Sequence, residues 1–300
     1  MRPLDETDFA RAALLLHEGF PGRPVAFWAA ALQRLKHYGG NRQAGVPLGW
    51  FMLKDDEPVG VLLTPASLRR RTDGSSECIV NLSSWYVRPE FRWRAGFMLR
   101  RVTADKAAVY TDLTPTPEVQ KMLPMFGFQP LNRGVALHLL PLQCLHPAHG
   151  ARLRSLLPAE PWAYAGPPRE MIEAHRELGC LPLVLQPPQG QPQLLICRLG
   201  RLRGLRAAQL VYADSQSLVL RHRGALARHL LGQGVLLFVH DTRQTASTPT
   251  AWFRPRDQWF ARGRVFDDRT DAFASELCIV HADPAHAGWP APAGEAGAAC

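Results

Sequence analysis

The sequence predicts an α/β fold made of two domains in tandem, each with a mixed sheet flanked by helices. Three observations support this fold class. The chain has 300 residues, which exceeds the common size of one domain. Segments of β-type alternation are interleaved with segments whose apolar residues recur at helical spacing. A basic motif and the strand after it occur twice with the same spacing, which indicates a duplicated unit.

The composition is that of an ordinary globular protein, with 46% hydrophobic and 20% charged residues. A net charge of +9 and a pI near 9.7 would suit an anionic partner. The basic residues are spread along the chain, however, and no basic helix, zinc-finger spacing or aromatic ribonucleoprotein motif occurs. We therefore do not expect a nucleic-acid partner.

The start of the chain carries Asp5, Glu6 and Asp8 where a signal peptide would need an apolar core. No apolar run approaches the length of a membrane-spanning helix. The six cysteines never occur as CxxC, which favours buried thiols in a reducing compartment over a disulfide or zinc framework. We also interpret His146 and His149 as part of a linker. The sequence thus predicts a cytoplasmic protein with no metal and no membrane partner.

The first half predicts elements in the order β-α-α-β-β-β-α-β-α-β-β. Gly19 and Gly39 end two helices, the second of which begins at Val25. Acidic residues at 55–57 join one hairpin, and the turn-forming residues 132–134 are predicted to join a last one. The predicted strands are 2–4, 48–54, 58–64, 79–87, 107–113, 128–131 and 135–140.

The stretch from Asn81 to Val102 is central, because a β-rich segment there passes through an arginine-rich turn into a helix. N–H groups at a helix start have no intrahelical partners, and the helix dipole adds positive charge at the same place. A phosphate or pyrophosphate is the natural guest of such a turn. The alternative is a plain βα unit with surface arginines.

Residues 1 to about 141 resemble the GNAT superfamily of acyl-CoA N-acyltransferases. The resemblance rests on RPLDETDF, GWFMLKDDEPVGVLL, WYVRPEFRWRAGF and MFGFQPL. In that family the amides of the central motif hold the pyrophosphate of coenzyme A. Ala95 and Phe97 replace the two glycines of the motif, which predicts a less open loop. The motif falls here on Arg92, Trp93, Arg94, Ala95, Gly96 and Phe97.

The resemblance implies acetyl-CoA or another acyl-CoA as cofactor, and an amine of a small molecule, amino acid or peptide as acceptor. It implies that the pantetheine arm pairs with Trp85, Tyr86 and Val87, where a backbone N–H polarises the thioester carbonyl. The family's general-acid tyrosine falls on Leu123, so that acid is missing.

Three side chains near this strand are the candidate catalytic residues: Asp112, Tyr110 and Ser84. Glu77 is a further candidate base. For Tyr110 a core aromatic on a buried strand is the preferred interpretation, whereas Asp112 can equally be a cap before Pro115. The run Arg69 to Arg71 is predicted to lie in a solvated loop, with contact to the 3′-phosphate of the cofactor as the alternative.

The second half repeats the frame of the first. Arg221 to Leu226 matches Arg92 to Phe97, and the strand from Val235 to Asp241 matches the strand that ends near Asp112. The register agrees, since 221 minus 92 and 241 minus 112 both equal 129. The other predicted elements are a helix at 170–178, strands at 181–186, 194–199 and 205–213, closing segments at 252–253 and 259–264, and a last strand at 276–281.

These elements predict an N-terminal domain at 1–142, a linker at 143–165, a C-terminal domain at 166–282 and a disordered tail at 283–300. We expect the first half to bind the cofactor. The resemblance favours an acyltransferase; the alternative is a catalytically silent tandem protein that binds coenzyme A or a partner as a sensor or scaffold. A peptidyl transferase that uses aminoacyl-tRNA is a third reading. We expect a monomer that is a pseudo-dimer, or a homodimer.

Overall fold

A computed structural model of the protein describes residues 1–71, 74–158, 160, 166–245, 247, 250–256, 258–263 and 268–280. Its strands are β1 (Arg2–Pro3), β2 (Gly49–Lys54), β3 (Glu57–Leu63), β4 (Ala66–Arg70), β5 (Ser76–Val87), β6 (Val109–Asp112), β7 (Gln129–Pro130), β8 (Gly134–Leu139), β9 (Arg152–Ser155), β10 (Cys180–Gln186), β11 (Gln193–Leu202), β12 (Leu205–Ala213), β13 (Leu237–Thr242), β14 (Ala251–Pro255), β15 (Phe260–Arg262) and β16 (Thr270–Asp271).

The α-helices are α1 (Phe9–Gly19), α2 (Val25–Tyr38), α3 (Gly40–Ala44), α4 (Ala95–Val102), α5 (Pro117–Met122), α6 (Leu140–Gln143), α7 (Arg169–Glu177), α8 (Gln216–Arg221) and α9 (Arg223–Gly232). Short 3-10 helices lie at Glu6–Asp8, Pro89–Arg94 and Leu123–Phe126. No helix within the described ranges has both the length and the apolar character needed to cross a bilayer.

The strands form two mixed sheets, so the predicted fold class is confirmed. The first sheet has the order β1-β2-β3-β5-β6-β15-β7, and β4 also pairs with β5. The second has the order β14-β8-β13-β12-β11-β10-β9, and β16 also pairs with β12. In each sheet one parallel pair joins the strands on either side of the central helix: β5 with β6, and β12 with β13.

The predicted hairpin of 128–131 with 135–140 is wrong, because the two segments belong to different sheets. β7 pairs with β15, whereas β8 pairs with β13 and β14. Asn132 explains the crossover: its side chain donates to Asp241 and accepts from the backbone N–H of Trp259, so the turn is held by distant residues.

A second exchange runs in the opposite direction. β15 comes from the C-terminal half, yet it lies between β6 and β7 in the first sheet. Phe260 packs there in the core of the first half. The segment 259–264 was predicted to close the second sheet, so that prediction is wrong for its described part. The domain bounds stay a prediction, and each sheet takes a strand from across them.

The predicted last strand at 276–281 is also wrong within its described part. Residues 272–280 form consecutive turns between the two halves, and every one of them is buried. Arg34 of α2 donates to the carbonyl oxygens of Ile279 and Val280 and so holds the end of this segment. The apolar residues of 272–280 therefore reflect burial between the two halves and do not mark a strand. The predicted disordered tail at 283–300 lies outside the described residues.

Candidate functional site

β5 and β6 diverge at the centre of the first sheet. Their parallel pairing begins at Ile79 with Val109 and ends at Leu82 with Asp112. From Ser83 to Val87, β5 pairs with β3 on one edge, and no strand in the described part of the chain pairs with its other edge. We call this divergence the first splay. Its free edge offers N–H and C=O groups to an extended guest.

A β-bulge lies at the first splay. β3 pairs through Leu63 with Ser83 and through Val61 with Tyr86, so β5 has one extra residue between the two pairs. Ser84, in this interval, has a φ of 51°, which a residue with a side chain adopts only under constraint. The bulge therefore redirects the backbone groups of β5 at the free edge.

Two carboxyl groups are buried beside the bulge. Glu276 Oε2 accepts a hydrogen bond of 2.7 Å from Ser83 Oγ, and the Glu276 N–H donates to Asn81 Oδ1 at 3.1 Å. Burial raises the pKa of Glu276 to about 7, although Ser83 and the Ser84 N–H oppose the shift. Burial, and then the charge of Glu276, raise the pKa of Asp112 well above its usual range. Glu276 can therefore hold and release a proton near neutral pH, and Asp112 keeps its proton more readily than an ordinary carboxyl group does.

The sequence analysis did not identify Glu276 as a site residue. It is carried into the first splay from a segment almost 200 residues further along the chain, by the packing of 272–280 between the halves. One signal was present in the sequence: Glu276 is the lone charged residue of the run AFASELCIV. A carboxylate within such an apolar run needs a specific partner when it is buried.

Of the three predicted catalytic side chains, Asp112 and Ser84 lie at the first splay, and Tyr110 packs in the core beneath it. Tyr110 is buried among the apolar residues that α4 covers, and burial raises its pKa to about 12. Ser84 Oγ lies 3.1 Å from Ser83 Oγ. Leu123 is fully buried in the same core as Tyr110, so no acid stands at its position.

The residues predicted to contact the pantetheine arm lie along the free edge. Trp85 packs on the side of the core that α4 covers, and Tyr86 packs on the opposite side. Tyr86 Oη donates to Glu18 at 2.9 Å, and Val87 is buried. The side chains therefore alternate across the sheet and leave the backbone edge for a guest.

The predicted basic turn is helical. Residues Pro89–Arg94 form a 3-10 helix that continues into α4, and the N–H of Ala95 donates to the carbonyl oxygen of Arg92. The backbone N–H groups of this turn are therefore mostly used inside it. Arg92 is exposed, with Nε 3.5 Å from the carbonyl oxygen of Val87.

Two aromatic side chains of the predicted motif are exposed, with a half-buried arginine between them. Trp93 is 74% exposed and Phe97 is 67% exposed. Arg94 lies over the Trp93 ring at 5.5 Å from its centroid. Gly96 faces the Phe126 ring, so an added Cβ would lie 3.1 Å from it.

Two other predicted positions are not at the first splay. Glu77 lies at the opposite end of β5, where it pairs with Arg71. Arg69 is not in a solvated loop: it is fully buried on β4 and donates two hydrogen bonds of 2.8 Å to Asp271 of β16. The Arg69 prediction is therefore wrong. β4, which the sequence did not reveal, places this arginine between the halves.

The corresponding divergence in the second sheet is filled. β12 and β13 pair in parallel from Ala207 with Leu237 to Gln209 with Val239. Beyond that point, which we call the second splay, β12 pairs with β16 through Tyr212 and Ala213. The strand edge that would take a guest is therefore occupied by the chain itself.

The start of α9 is also covered. An added Cβ at Gly224 would lie 2.1 Å from the carbonyl oxygen of His146. His222 Nδ1 lies 3.0 Å from the carbonyl oxygen of Ala148, and Arg228 donates to the carbonyl oxygen of Cys144 at 2.6 Å. The segment 144–148 thus packs on the helix start that corresponds to α4. No cluster of three or more potential metal ligands occurs among the described residues.

Comparison with known proteins relates this chain to acyltransferases by fold. No family model and no curated protein matches it. A GCN5-related N-acetyltransferase from Anabaena variabilis ATCC 29413 aligns with 87% of this chain and 71% of its own, at 11% identity and a TM-score of 0.56. A probable N-acyltransferase from Enterococcus faecalis V583 aligns with 89% and 72%, at 12% identity and a TM-score of 0.55.

Eis1 from Mycobacterium abscessus gives a third match, over 87% of this chain and 73% of its own, at 15% identity and a TM-score of 0.53. At these identities the likeness establishes the fold. The chain thus has the fold of GCN5-related N-acetyltransferases, and its two sheets fit two tandem units.

Proposed function

We propose that this protein transfers an acyl group from an acyl-CoA to an amine of a small molecule, amino acid or peptide, and that the first splay is its active site. One observation carries the proposal: a free and bulged strand edge lies beside two buried carboxyl groups. The edge can bind an extended donor, and the carboxyl groups can move protons. The shared fold agrees with acyl transfer in general.

The residues of the first splay fit an acyl-CoA. The backbone of Ser84 to Val87 offers unpaired groups to the pantetheine arm, and the exposed Arg92 side chain offers charge to the phosphates. Because the 3-10 helix uses most amides of the turn, the arginine side chains would carry more of the phosphate binding than backbone N–H groups. When bound, acyl-CoA supplies the activated acyl thioester.

Three features of the chain take the other proposed roles in the reaction, which are to orient the carbonyl, to accept a proton and to donate one. The bulge at Ser84 fixes the direction of the backbone groups beside the reacting carbonyl. Glu276, with a pKa of about 7, is the candidate base for the acceptor ammonium. Asp112, whose pKa is raised further by Glu276, is the candidate acid in place of the missing tyrosine.

Thiol release from acetyl-CoA tests this proposal with a panel of polyamines, amino acids and short peptides as acceptors. The unmodified protein should release coenzyme A with at least one acceptor. Glu276→Gln should lower kcat by about 10²–10⁴-fold with little change in KM for acetyl-CoA, because it removes a proton acceptor and keeps the shape.

Glu177→Gln, at the exposed end of α7, is the matched control and should leave kcat unchanged. Full activity of Glu276→Gln would remove Glu276 from the chemistry. Failure of the unmodified protein to bind acetyl-CoA would overturn the acyltransferase proposal.

A second function is favoured by the helical turn at Pro89–Arg94 and by the buried Leu123. The helical turn leaves few free backbone N–H groups for a phosphate, and Leu123 cannot act as an acid. Both features suit a protein that binds coenzyme A or a partner as a sensor or scaffold. Binding of acetyl-CoA without thiol release for any acceptor would select this function. The cytoplasmic location and the oligomeric state stay predictions.

A further inference from the structure

Three large apolar side chains protrude from one region of the first half. Trp93 is 74% exposed, Phe97 is 67% exposed and Met125 is 76% exposed. A single exposed apolar side chain is ordinary, but a cluster of them marks a surface that binds something. We define the α4 surface as these three side chains together with the exposed arginines beside them: Arg92, Arg100 and Arg101.

Helix geometry places most of these side chains in one stripe. The 3-10 helix before α4 runs directly into it, so Trp93 and Phe97 lie one turn apart on the same face. Arg100 and Arg101 follow one turn further along, and both are exposed. Met98 faces the core and is fully buried. The exposed stripe is therefore aromatic at the start of the helix and basic at its end.

The 3-10 helix Leu123–Phe126 extends the apolar part of the α4 surface. The ring of Phe126 packs on α4, since an added Cβ at Gly96 would lie 3.1 Å from it. Met125 precedes Phe126 in the same short helix, and its side chain stays exposed. The protruding apolar side chains thus come from two helices that are packed together, which fixes their relative position.

The elements that carry the α4 surface have a net positive charge. Residues 89–102 and 117–126 contain five basic residues and two acidic ones, which leaves a net charge of +3. The acidic residues, Glu90 and Glu118, are exposed. Arg94 is half-buried, and its guanidinium lies over the Trp93 ring at 5.5 Å from the centroid. The charge favours an anionic partner.

The exposure and the charge together favour a lipid surface as that partner. Side chains that are at least 67% exposed protrude from the protein and do not line a groove for a peptide. Protruding aromatic side chains insert among lipid headgroups, and arginines attract anionic headgroups. A two-fold dimer through this surface would set the same arginines against one another, which disfavours a second copy of this chain.

We propose that the α4 surface docks this protein on an anionic membrane, with Trp93 and Phe97 inserted among the lipid headgroups. The sequence predicted no membrane partner because no apolar run can span a bilayer, but docking at the surface needs no such run. The α4 surface adjoins the free edge of the first splay, since Arg92 Nε lies 3.5 Å from the carbonyl oxygen of Val87. Docking does not require acyl transfer at that site.

Vesicle sedimentation without acyl-CoA tests the proposal. The probes are vesicles of phosphatidylcholine alone and vesicles that also contain about 30% phosphatidylglycerol. The unmodified protein should bind the anionic vesicles at least about tenfold more strongly than the neutral ones. Added salt should weaken this binding, because it screens the attraction between arginines and headgroups.

A double variant tests the aromatic part of the α4 surface. Trp93→Ala with Phe97→Ala should weaken binding to the anionic vesicles about tenfold or more, because it removes the two inserted rings. Both side chains are exposed, so the change should leave the fold intact, and thermal unfolding checks this. Trp252→Ala, at a 45% exposed tryptophan on β14, is the matched control and should bind as the unmodified protein does.

A second double variant tests the basic part. Arg100→Gln with Arg101→Gln should weaken binding about tenfold or more, since each basic residue near an anionic surface contributes about fivefold. Arg203→Gln with Arg221→Gln removes the same charge from two exposed arginines of the second half and is the matched control. This control should change binding by less than about twofold.

Four results would overturn the proposal. Binding to neither kind of vesicle would leave an acidic protein as the partner, and equal binding to both kinds would exclude the role of the arginines. A loss in Trp93→Ala with Phe97→Ala no larger than in Trp252→Ala, or equal losses in the two arginine pairs, would show attraction by overall charge alone. Since no arm of the test contains acyl-CoA, its outcome does not depend on the acyltransferase assay.

Discussion

The two halves share one strand register, but the strand edge is free at the first splay and occupied at the second splay. In the first half, Val80 pairs with Tyr110; in the second, Gln209 pairs with Val239, and both residues of this pair lie 129 positions further on. By the same offset Ser83 corresponds to Tyr212. Tyr212 pairs with β16, whereas no described strand pairs with β5 at the corresponding edge of Ser83, and the Ser83 hydroxyl donates to Glu276.

One C-terminal segment produces this difference. Thr270 and Asp271 close the second splay by pairing with β12. A few residues later, Glu276 reaches the first splay and brings a carboxyl group without covering the strand edge. The second unit thus holds the segment that brings Glu276 to the proposed site of the first unit.

The largest expected effect comes from breaking the contact that closes the second splay. Arg69 is fully buried, and its guanidinium binds Asp271 through two hydrogen bonds. Arg69→Met should lower the free energy of unfolding by about 3–5 kcal/mol, because it leaves a buried carboxylate unpaired. Urea denaturation measures this loss.

The double variant Arg69→Met with Asp271→Leu should recover part of that stability, since it removes both charges. Arg11→Gln breaks an exposed pair with Glu57 and should cost less than about 1 kcal/mol. A loss as small in Arg69→Met as in Arg11→Gln would show that β16 is not held by this pair.

A smaller effect is expected from the cover over α9. Gly224→Ala would place a Cβ against the His146 carbonyl oxygen and should cost about 1–3 kcal/mol, because backbone must move. Gly232→Ala lies in the same helix with nothing within 4 Å, and it should be neutral or stabilising. Equal stability of the two variants in thermal unfolding would contradict the packing of 144–148 on this helix.

A dependence of stability on pH is expected from both halves. The pKa of Glu276 is raised from 4.5 to about 7, and that of Asp241 is raised from 3.8 to about 7. The folded protein therefore binds more protons than the unfolded chain between about pH 4.5 and pH 7. The free energy of unfolding should fall as pH rises through this window, by at most about 1.4 kcal/mol per pH unit for each group.

Urea denaturation at pH 5, 6 and 7 checks this slope. Glu276→Gln should reduce the slope by removing the carboxyl group at the first splay, and Asp241→Asn should reduce it by removing the buried carboxyl group that Asn132 contacts. A slope that neither variant changes would mean that these carboxyl groups titrate normally.

The sequence predicted those elements that local pattern determines. The bounds of α2, Val25–Tyr38, and of β12, Leu205–Ala213, agree with the prediction because apolar periodicity and terminal glycines mark them. The repeat offset also located Asp112 and Asp241 at the ends of their strands.

Most of the errors concern contacts between residues that are distant in sequence. β8 and β15 exchange sheets because Asn132 bonds to Asp241 and to Trp259, which no local pattern encodes. Glu276 was missed for the same reason, since its role depends on Ser83 and Asn81, and the described residues around it read as a strand. The basic turn was predicted as a loop, but Pro89 at its first position starts a 3-10 helix.

Isothermal titration with acetyl-CoA of the unmodified protein and of the matched variants Arg92→Glu and Arg221→Glu tests most directly whether the first splay binds the cofactor. Both arginines are exposed, and they lie at equivalent positions of the two halves. We predict that Arg92→Glu weakens binding at least tenfold and that Arg221→Glu binds as the unmodified protein does. Loss of binding in Arg221→Glu alone would place the cofactor in the second half and contradict cofactor binding at the first splay.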